Sequence, residues 1–410
     1  MNLFDPLIPA RGVHLAATVL ATGTVAFMAL VADLPALRRQ LTLLVWVALA
    51  VAILSGLAWL VWLSADIYGA SIIDVWLHGG FWSVLADTRF GLVWTARLGL
   101  AILLGILMLW PAVRLLQLAV AACLLGLIAL IGHAGATPGT AGQIHLVSDM
   151  VHLLAAGAWV GTLPALAILL TRASHEGGTA WGADAIAATR RFSLLGVISV
   201  SALLASGIIN TWNLLGAPRD LIATDYGRLL LLKVGLFAAM VFIAAANRFH
   251  FTPRLPAAGA LWALARNSMA ECGIGLCVLL IVGALGAMSP SGHAHDANAQ
   301  IPPGAAFVHI HSDEAMAEVT IKPGQAGQAD ATIRVLREDF SEFPAKEVQL
   351  SLEPPRTGPK IARDAAHLPD GTWQVNAVNL SQSGNWTVRI TIAPQSGAPI
   401  MLDAPIVIER

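Results

Sequence analysis

The sequence predicts an all-α polytopic membrane bundle of about eight transmembrane helices, followed by a small C-terminal all-β sandwich domain. Three observations predict it. Hydrophobic residues make up 57% of the 410 residues and charged residues only 12%, about half the share of charge that a water-soluble protein carries. Apolar stretches recur at the length of roughly 20 residues that crosses a bilayer core as a helix. After Met288 the pattern changes to short runs that alternate apolar and polar residues.

The apolar stretches lie at 13–32, 41–64, 91–109, 112–132, 145–170, 192–215, 228–247 and 268–288. Segment 71–85 (SIIDVWLHGGFWSVL) is too short and too Gly-broken to span, and reads as an interfacial or re-entrant piece. The opening MNLFDPLIPARG has no basic run, which predicts a retained first helix rather than a cleaved signal peptide. Connections after the odd-numbered spans hold Arg38, Arg39, Arg114, Arg172, Arg190, Arg191, Arg248, Arg254 and Arg266. The opposite side holds Arg11, Arg89, Arg219 and Arg228. The basic set belongs in the cytoplasm. The expectation is a multi-pass protein of a bacterial inner membrane with both termini in the periplasm, as an even number of spans requires.

The domain reading is 1–288 for the membrane bundle, 289–305 for a Pro/Gly-rich linker, and 306–410 for a periplasmic β-sandwich. In the tail, AEVTI, ATIRVL, EVQLSL, TWQVNAV and WTVRITI are separated by the turn signals KPGQAG, LPDG and SQSGN. The formal net charge of −1 gives no basic field, so nucleic acid is not an expected partner, whereas the lipid bilayer is. Cys123, Cys272 and Cys277 all lie in apolar stretches, and none is placed for an extracytoplasmic disulfide or a CxxC redox site.

Nine of the twelve histidines gather in the outer half of the membrane or just above it. The metal candidates among them are His14, His133, His145 and His152 at span ends, and His293, His295, His309 and His311 in the linker and first tail strand. On a helix, His145, Asp149 and His152 fall within about 60° of one another, and the two histidines are about 10.5 Å apart along the axis. That is too far for a simple chelating pair. Either each joins ligands from other spans, or they are successive stations for an ion. Asp149 is alternatively the acceptor that fixes an imidazole tautomer. The competing reading of these histidines is structural, as interfacial or capping groups bonded to backbone carbonyls. Imidazole suits copper, zinc, iron and nickel alike.

In the tail, Phe307, His309 and His311 share one strand face. Met288 and Met316 would add thioethers, which favour Cu(I) over Cu(II). Arg97, Lys233 and Glu271 are charges in apolar context. Snorkelling fits Arg228 and Glu271, and an ion pair or carbonyl bonds fit Arg97 and Lys233. Asn210 and Asn213 are placed to line the same cavity as the histidines. The chain holds no G-x-S-x-G, HExxH, P-loop or CxxCH motif, so no enzyme activity is expected.

Several blocks resemble the CopD copper-resistance and copper-uptake family. They are GHAGATPG at 132–139, SDMVHLLAAGAWVGTLPAL at 148–166, DTRFGLVWTARLGL at 87–100 and YGRLLLLKVGLFAAMVFIAAANRF at 226–249. The resemblance covers about residues 10–290. It implies an eight-helix inner-membrane protein linked to copper movement between periplasm and cytoplasm, and it directs interest to His133, Asp149, His152, Arg97 and Lys233. The sequence departs from the family at Trp159-Val-Gly161-Thr162, where a Gly-Gly pair is common, and it lacks the N-terminal CopC-like domain of some members. The tail resembles the FixH/YtkA-like periplasmic domain. The expected function is copper homeostasis, with copper bound at the outer histidines and passed inward past Asp149 and Asn210 toward Glu271. A periplasmic CopC-type protein is a candidate partner. The alternatives are a haem-binding membrane oxidoreductase and a factor that presents copper to a cuproenzyme.

Overall fold

The computed structural model describes residues 5–68, 70–132, 139–176, 179–214, 219–255, 257–288, 304–312, 315–337, 342–355 and 358–409. The chain divides into two compact units, Met1–His293 and Ala294–Arg410.

The first unit is helical. Helix α1 (Leu7–Ala26) runs on through a π-helical turn, Phe27–Val31. Helix α2 (Pro35–Tyr68) opens on proline, which needs no backbone donor in a first turn. The helices α3 (Ile72–Leu77) and α4 (Gly80–Asp87) meet at Gly79, whose φ of +78° only glycine adopts freely. They are too short to span, as expected for 71–85, and they leave Ile73, Trp76, Leu77 and Trp82 exposed. Helix α5 (Arg89–Leu107) is followed by α6 (Arg114–Gly126), which continues through a 3₁₀ turn to Ile131.

Helices α7 (Gly139–Trp159) and α8 (Leu163–Glu176) form one span, interrupted before Pro164. The long α9 (Thr179–Leu214), the short α10 (Asp220–Ala223), α11 (Asp225–Ala246) and α12 (Ala258–Leu285) complete the unit. A second π-helical turn, Asn247–Phe251, extends α11.

Among the described residues, eight helical segments are long and apolar enough to cross a membrane. Several run beyond the apolar stretches of the sequence, because polar residues continue a helix past the hydrocarbon. The segment Leu7–Val31 is 72% buried and forms the centre of the bundle, whereas Asp225–Arg254 is 11% buried and lies at its margin. Leu, Ile, Val and Phe side chains cover the outside, where lipid tails are as apolar as they are. At one end, Asp33 pairs with both Arg38 and Arg114, at 2.8 and 2.6 Å. Arg172 bonds Gln40, and Arg191 bonds the carbonyl of Val31. Part of the basic set thus shares one end of the bundle.

The second unit is an antiparallel sandwich. Strands β1 (Ala306–His311), β2 (Met316–Lys322), β3 (Gly327–Leu336), β4 (Ala345–Glu353), β5 (Ile361–Asp364), β6 (Ala366–His367), β7 (Trp373–Leu380), β8 (Gly384–Pro394) and β9 (Ile400–Ile408) form two sheets. Their orders are β1-β2-β3-β7-β6 and β5-β4-β8-β9. Alternation puts Val319, Ile321, Ile333, Leu350, Val388 and Ile390 between the sheets, around the buried Trp386.

Candidate functional site

Two polar cells sit inside the bundle. In the first, His14 of α1 is buried against α2 and α5. Its Nδ1 lies 2.8 Å from the carbonyl oxygen of Ala52, an acceptor only, so Nδ1 carries the proton. Nε2 therefore offers a lone pair, and Arg97 of α5 donates to it from Nη1 at 2.6 Å. The same guanidinium donates from Nε to Leu124 O at 3.0 Å and from Nη2 to Thr18 Oγ1 at 3.3 Å. This three-way fork is what arginine provides and lysine does not. Beside it, Arg11 stacks on Trp59, with 5.2 Å to the ring centroid. A cavity of about 20 Å³ borders His14, Thr18 and Arg97, room for a single water. Both nitrogens of His14 are committed, so this histidine would bind a metal only by releasing Arg97.

The second cell lies between α7 and α9. Asp149 and His152 are three residues apart on α7, and Ser206 and Asn210 are four apart on α9, so each pair shares a helix face. They meet as two rungs. Asn210 Nδ2 donates to Asp149 Oδ1 at 3.3 Å, and His152 Nδ1 lies 3.0 Å from Ser206 Oγ. Ser206 gives its own proton to Ala202 O at 2.6 Å, so it accepts from His152 Nδ1–H and leaves Nε2 as a lone-pair nitrogen. Asn210 Oδ1 is a buried acceptor without a partner among the described residues. The cell thus holds a carboxylate, a carboxamide oxygen and an imidazole nitrogen, all donor atoms toward a cation.

Lys233 of α11 is within electrostatic reach of both Asp149 and His152, but among the described residues it makes no hydrogen bond. Tyr226 is within reach of Asp149. Met288 packs on the cluster of Tyr226, Leu230 and Leu285. His145 is buried two turns before His152, and Ser148 between them bonds Ser206 O at 3.2 Å. Gly132 approaches Asp149 Oδ2, since a Cβ there would lie 3.7 Å away. The next residue, His133, lies outside the described residues, as do His293 and His295.

Near the other end of the bundle, Glu271 of α12 is 1% exposed and does not snorkel, contrary to the expectation from sequence. Its Oε2 accepts from Asn247 Nδ2 at 3.1 Å, and Asn267 Nδ2 donates to Asn247 Oδ1 at 2.8 Å. Its Oε1 is buried without a partner among the described residues. Asn247 opens the π-helical turn after α11, a distortion often found where function needs a side chain re-aimed. Met269, two residues before Glu271 on α12, is 53% exposed.

Comparison with known proteins fits this bundle. A family model described as "Copper resistance protein D-like, N-terminal domain" matches residues 3–143, and one described as "Copper resistance protein D" matches residues 186–285. The "Inner membrane protein YebZ" of Escherichia coli (strain K12) is 35% identical over 215 residues, 51% of this chain and 72% of that protein. "Copper resistance protein D" of Pseudomonas syringae pv. tomato is 30% identical over 221 residues, 50% of this chain and 71% of that protein. The chain belongs to the copper resistance protein D family. "Copper transport protein CutJ" of Bacillus subtilis (strain 168) is 26% identical over 327 residues, 75% of this chain and 56% of that protein. No solved structure matches.

In this member of the copper resistance protein D family, no group of three or more His, Cys, Asp and Glu side chains is drawn together to hold a metal ion, among the described residues. In the tail, the register pairs His309 with Glu318 and His311 with Met316 across β1 and β2. His309 Nδ1 lies 3.6 Å from Glu318 Oε1, and Arg334 lies 3.4 Å from Oε2. The sequence reading missed Ser206, Tyr226, Trp59 and Arg11. Their signal was present in the spacing: Ser206 lies one turn before Asn210, and Arg11 lies one turn before His14.

Proposed function

We propose that this protein serves copper homeostasis in a bacterial inner membrane, binding copper at the outer end of the bundle and passing it inward. The observation that carries this reading is the second cell: a carboxylate, a carboxamide oxygen and an imidazole nitrogen on the paired faces of α7 and α9, in a family whose relatives are named for copper resistance and transport. Polar groups at that depth are costly and mark ion paths. Asp149 and His152 supply the first contacts. His133, next along the chain from Gly132, and His145 complete the coordination. Met288 is a thioether at the mouth, suited to Cu(I).

In this reading the arginine-rich end is cytoplasmic, by the excess of positive charge, and the second cell and both termini are periplasmic. Glu271, whose Oε1 has no partner among the described residues, is the inner station. The tail collects copper at His293, His295, His309 and His311, or receives it from a periplasmic carrier of the CopC type. His14 and Arg97 serve the architecture.

The test is copper content and whole-cell copper accumulation for the wild type and a His133→Ala/His152→Ala double variant, with an absorbance spectrum of the same purified samples. The reading requires that the wild type raises cell copper, that the variant does not, and that neither spectrum shows haem. Copper bound equally by both proteins with unchanged accumulation would favour a role in presenting copper to a cuproenzyme. A Soret band lost in the variant would make these histidines haem ligands.

A further inference from the structure

The His14 and His152 cells sit at matching places in matching helices. In α1, Val13-His14-Leu15 is followed by Gly23-Thr24, and in α7, Val151-His152-Leu153 is followed at the same spacing by Gly161-Thr162. Ser55-Gly56 of α2 answers to Ser206-Gly207 of α9, and each is preceded by an arginine pair, Arg38-Arg39 and Arg190-Arg191, the first pair one residue farther away than the second. Thr88, Phe90, Gly91, Arg97 and Gly99 of the α5 segment answer to Thr224, Tyr226, Gly227, Lys233 and Gly235 of the α11 segment, with identical spacing.

The geometry repeats as well. Thr88 and Thr224 cap their helices at φ −108°, ψ 150° and φ −106°, ψ 153°. Each accepts from its glycine N–H at 3.0 Å, and each donates to a carbonyl four residues back. Ser55 and Ser206 each donate to the carbonyl four residues back, at 2.6 Å. A Cβ on Gly56 would lie 3.1 Å from the His14 ring, and one on Gly207 would lie 3.6 Å from the His152 ring. Equivalent residues of two copies meet each other at a two-fold axis. Gly23 and Gly161 do so: a Cβ on Gly23 would fall 2.0 Å from the carbonyl carbon of Gly161.

We infer that the bundle is two copies of one four-span unit, and that the copies have divided the work: the first cell is a structural lock closed by Arg97, and the second is the cation-binding cell, held open by Lys233. Four spans return the chain to the same side, so the copies are parallel, as in other transporters built from repeats. The identity of the cation rests on the copper reading above. The division of work rests on four exchanged residues. Where the first copy has Arg11, Trp59, Phe90 and Arg97, the second has Asp149, Asn210, Tyr226 and Lys233. The first set adds two cations and an indole, and one of the cations occupies the histidine lone pair. The second set adds a carboxylate and a carboxamide oxygen that has no partner among the described residues, and it leaves the histidine lone pair to a ligand. Lysine balances Asp149 with a point charge but lacks the fork that would seal His152.

Lys233→Arg tests this, because it keeps the charge and supplies the fork. The expected result is copper accumulation at the level of cells lacking the protein, with a melting temperature at or above that of the wild type. Arg97→Lys is expected to keep accumulation while lowering the melting temperature by about 5 °C or more. A Lys233→Arg protein that accumulates copper like the wild type overturns the inference. So does an Arg97→Lys protein that folds with unchanged stability and loses accumulation. A second arm needs no copper. Purified Arg97→Ala is expected to melt well below purified Lys233→Ala, and equal melting temperatures contradict the division of work. A wild type that accumulates no copper overturns the copper reading and leaves this second arm to decide the inference.

Discussion

The two cells face a histidine toward a Ser-Gly pair on the neighbouring helix and finish the arrangement in opposite ways. In the first, both nitrogens of His14 and most of the Arg97 guanidinium donors are spent within the protein, and what is left over among the described residues are donors, Arg11 Nε and Trp59 Nε1. In the second, the bonds fix the tautomer and the carboxylate position but leave acceptors over. Surplus donors have nothing to offer a cation, whereas surplus acceptors are short of one. The contrast teaches that a histidine at membrane depth is not by itself a ligand. What its second nitrogen meets decides.

The strongest way to break this comparison is at the shared contact. Gly161→Ala or Gly23→Ala would drive a methyl into backbone, and the expected cost exceeds about 4 kcal/mol. Yield of monodisperse protein in detergent checks it. Next is Arg97→Ala, which strands His14 Nε2 and Leu124 O. A loss of about 3 kcal/mol or more is expected from bonds to a charged group, measured by thermal unfolding beside the wild type. His152→Ala is expected to change stability by less than Arg97→Ala while abolishing copper accumulation. Stability and copper falling together in both variants would erase the distinction between the cells.

Finer tests follow. Thr88→Ala and Thr224→Ala remove caps of the same geometry, and each is expected to cost about 1 kcal/mol. A large inequality between them would count against the repeat. The smallest effect lies in the tail. Arg389 binds Asp403 through two bonds, at 2.7 and 3.0 Å, and holds its carboxyl below the usual range. A lowered carboxylate contributes stability that is complete above about pH 4 and is lost as the pH falls through the lowered value. The pair is partly exposed, so the effect is small. Calorimetry of the full chain should show the tail transition falling slightly below pH 4, and Asp403→Asn should reduce that slope, the remainder coming from the lowered carboxyls of Glu353 and Asp370.

The eight spans were legible because length and composition alone identify them, and the sandwich was legible from alternation around residues such as Val319 and Ile333. Asp149 and His152 were legible as one stripe because helical spacing is fixed. Asn210 was legible as a polar residue of the same cavity, but its pairing with Asp149 and the arrival of Ser206 at His152 were not, since no local signal says that α9 lies against α7. Glu271 read as a snorkelling charge because its place in the apolar run is near an end, and only the fold shows Asn247 arriving to bond it. His14 read as a ligand because the sequence shows one histidine at the right depth and does not show that Arg97, two spans away, takes its lone pair.

The most direct test of the central claim is copper uptake into proteoliposomes containing the wild type, Asp149→Asn or His14→Gln, each confirmed folded by its melting curve. The account predicts uptake by the wild type, none by Asp149→Asn, and uptake retained by His14→Gln. Uptake retained by Asp149→Asn and lost in a folded His14→Gln would contradict it, placing the copper path through the first cell.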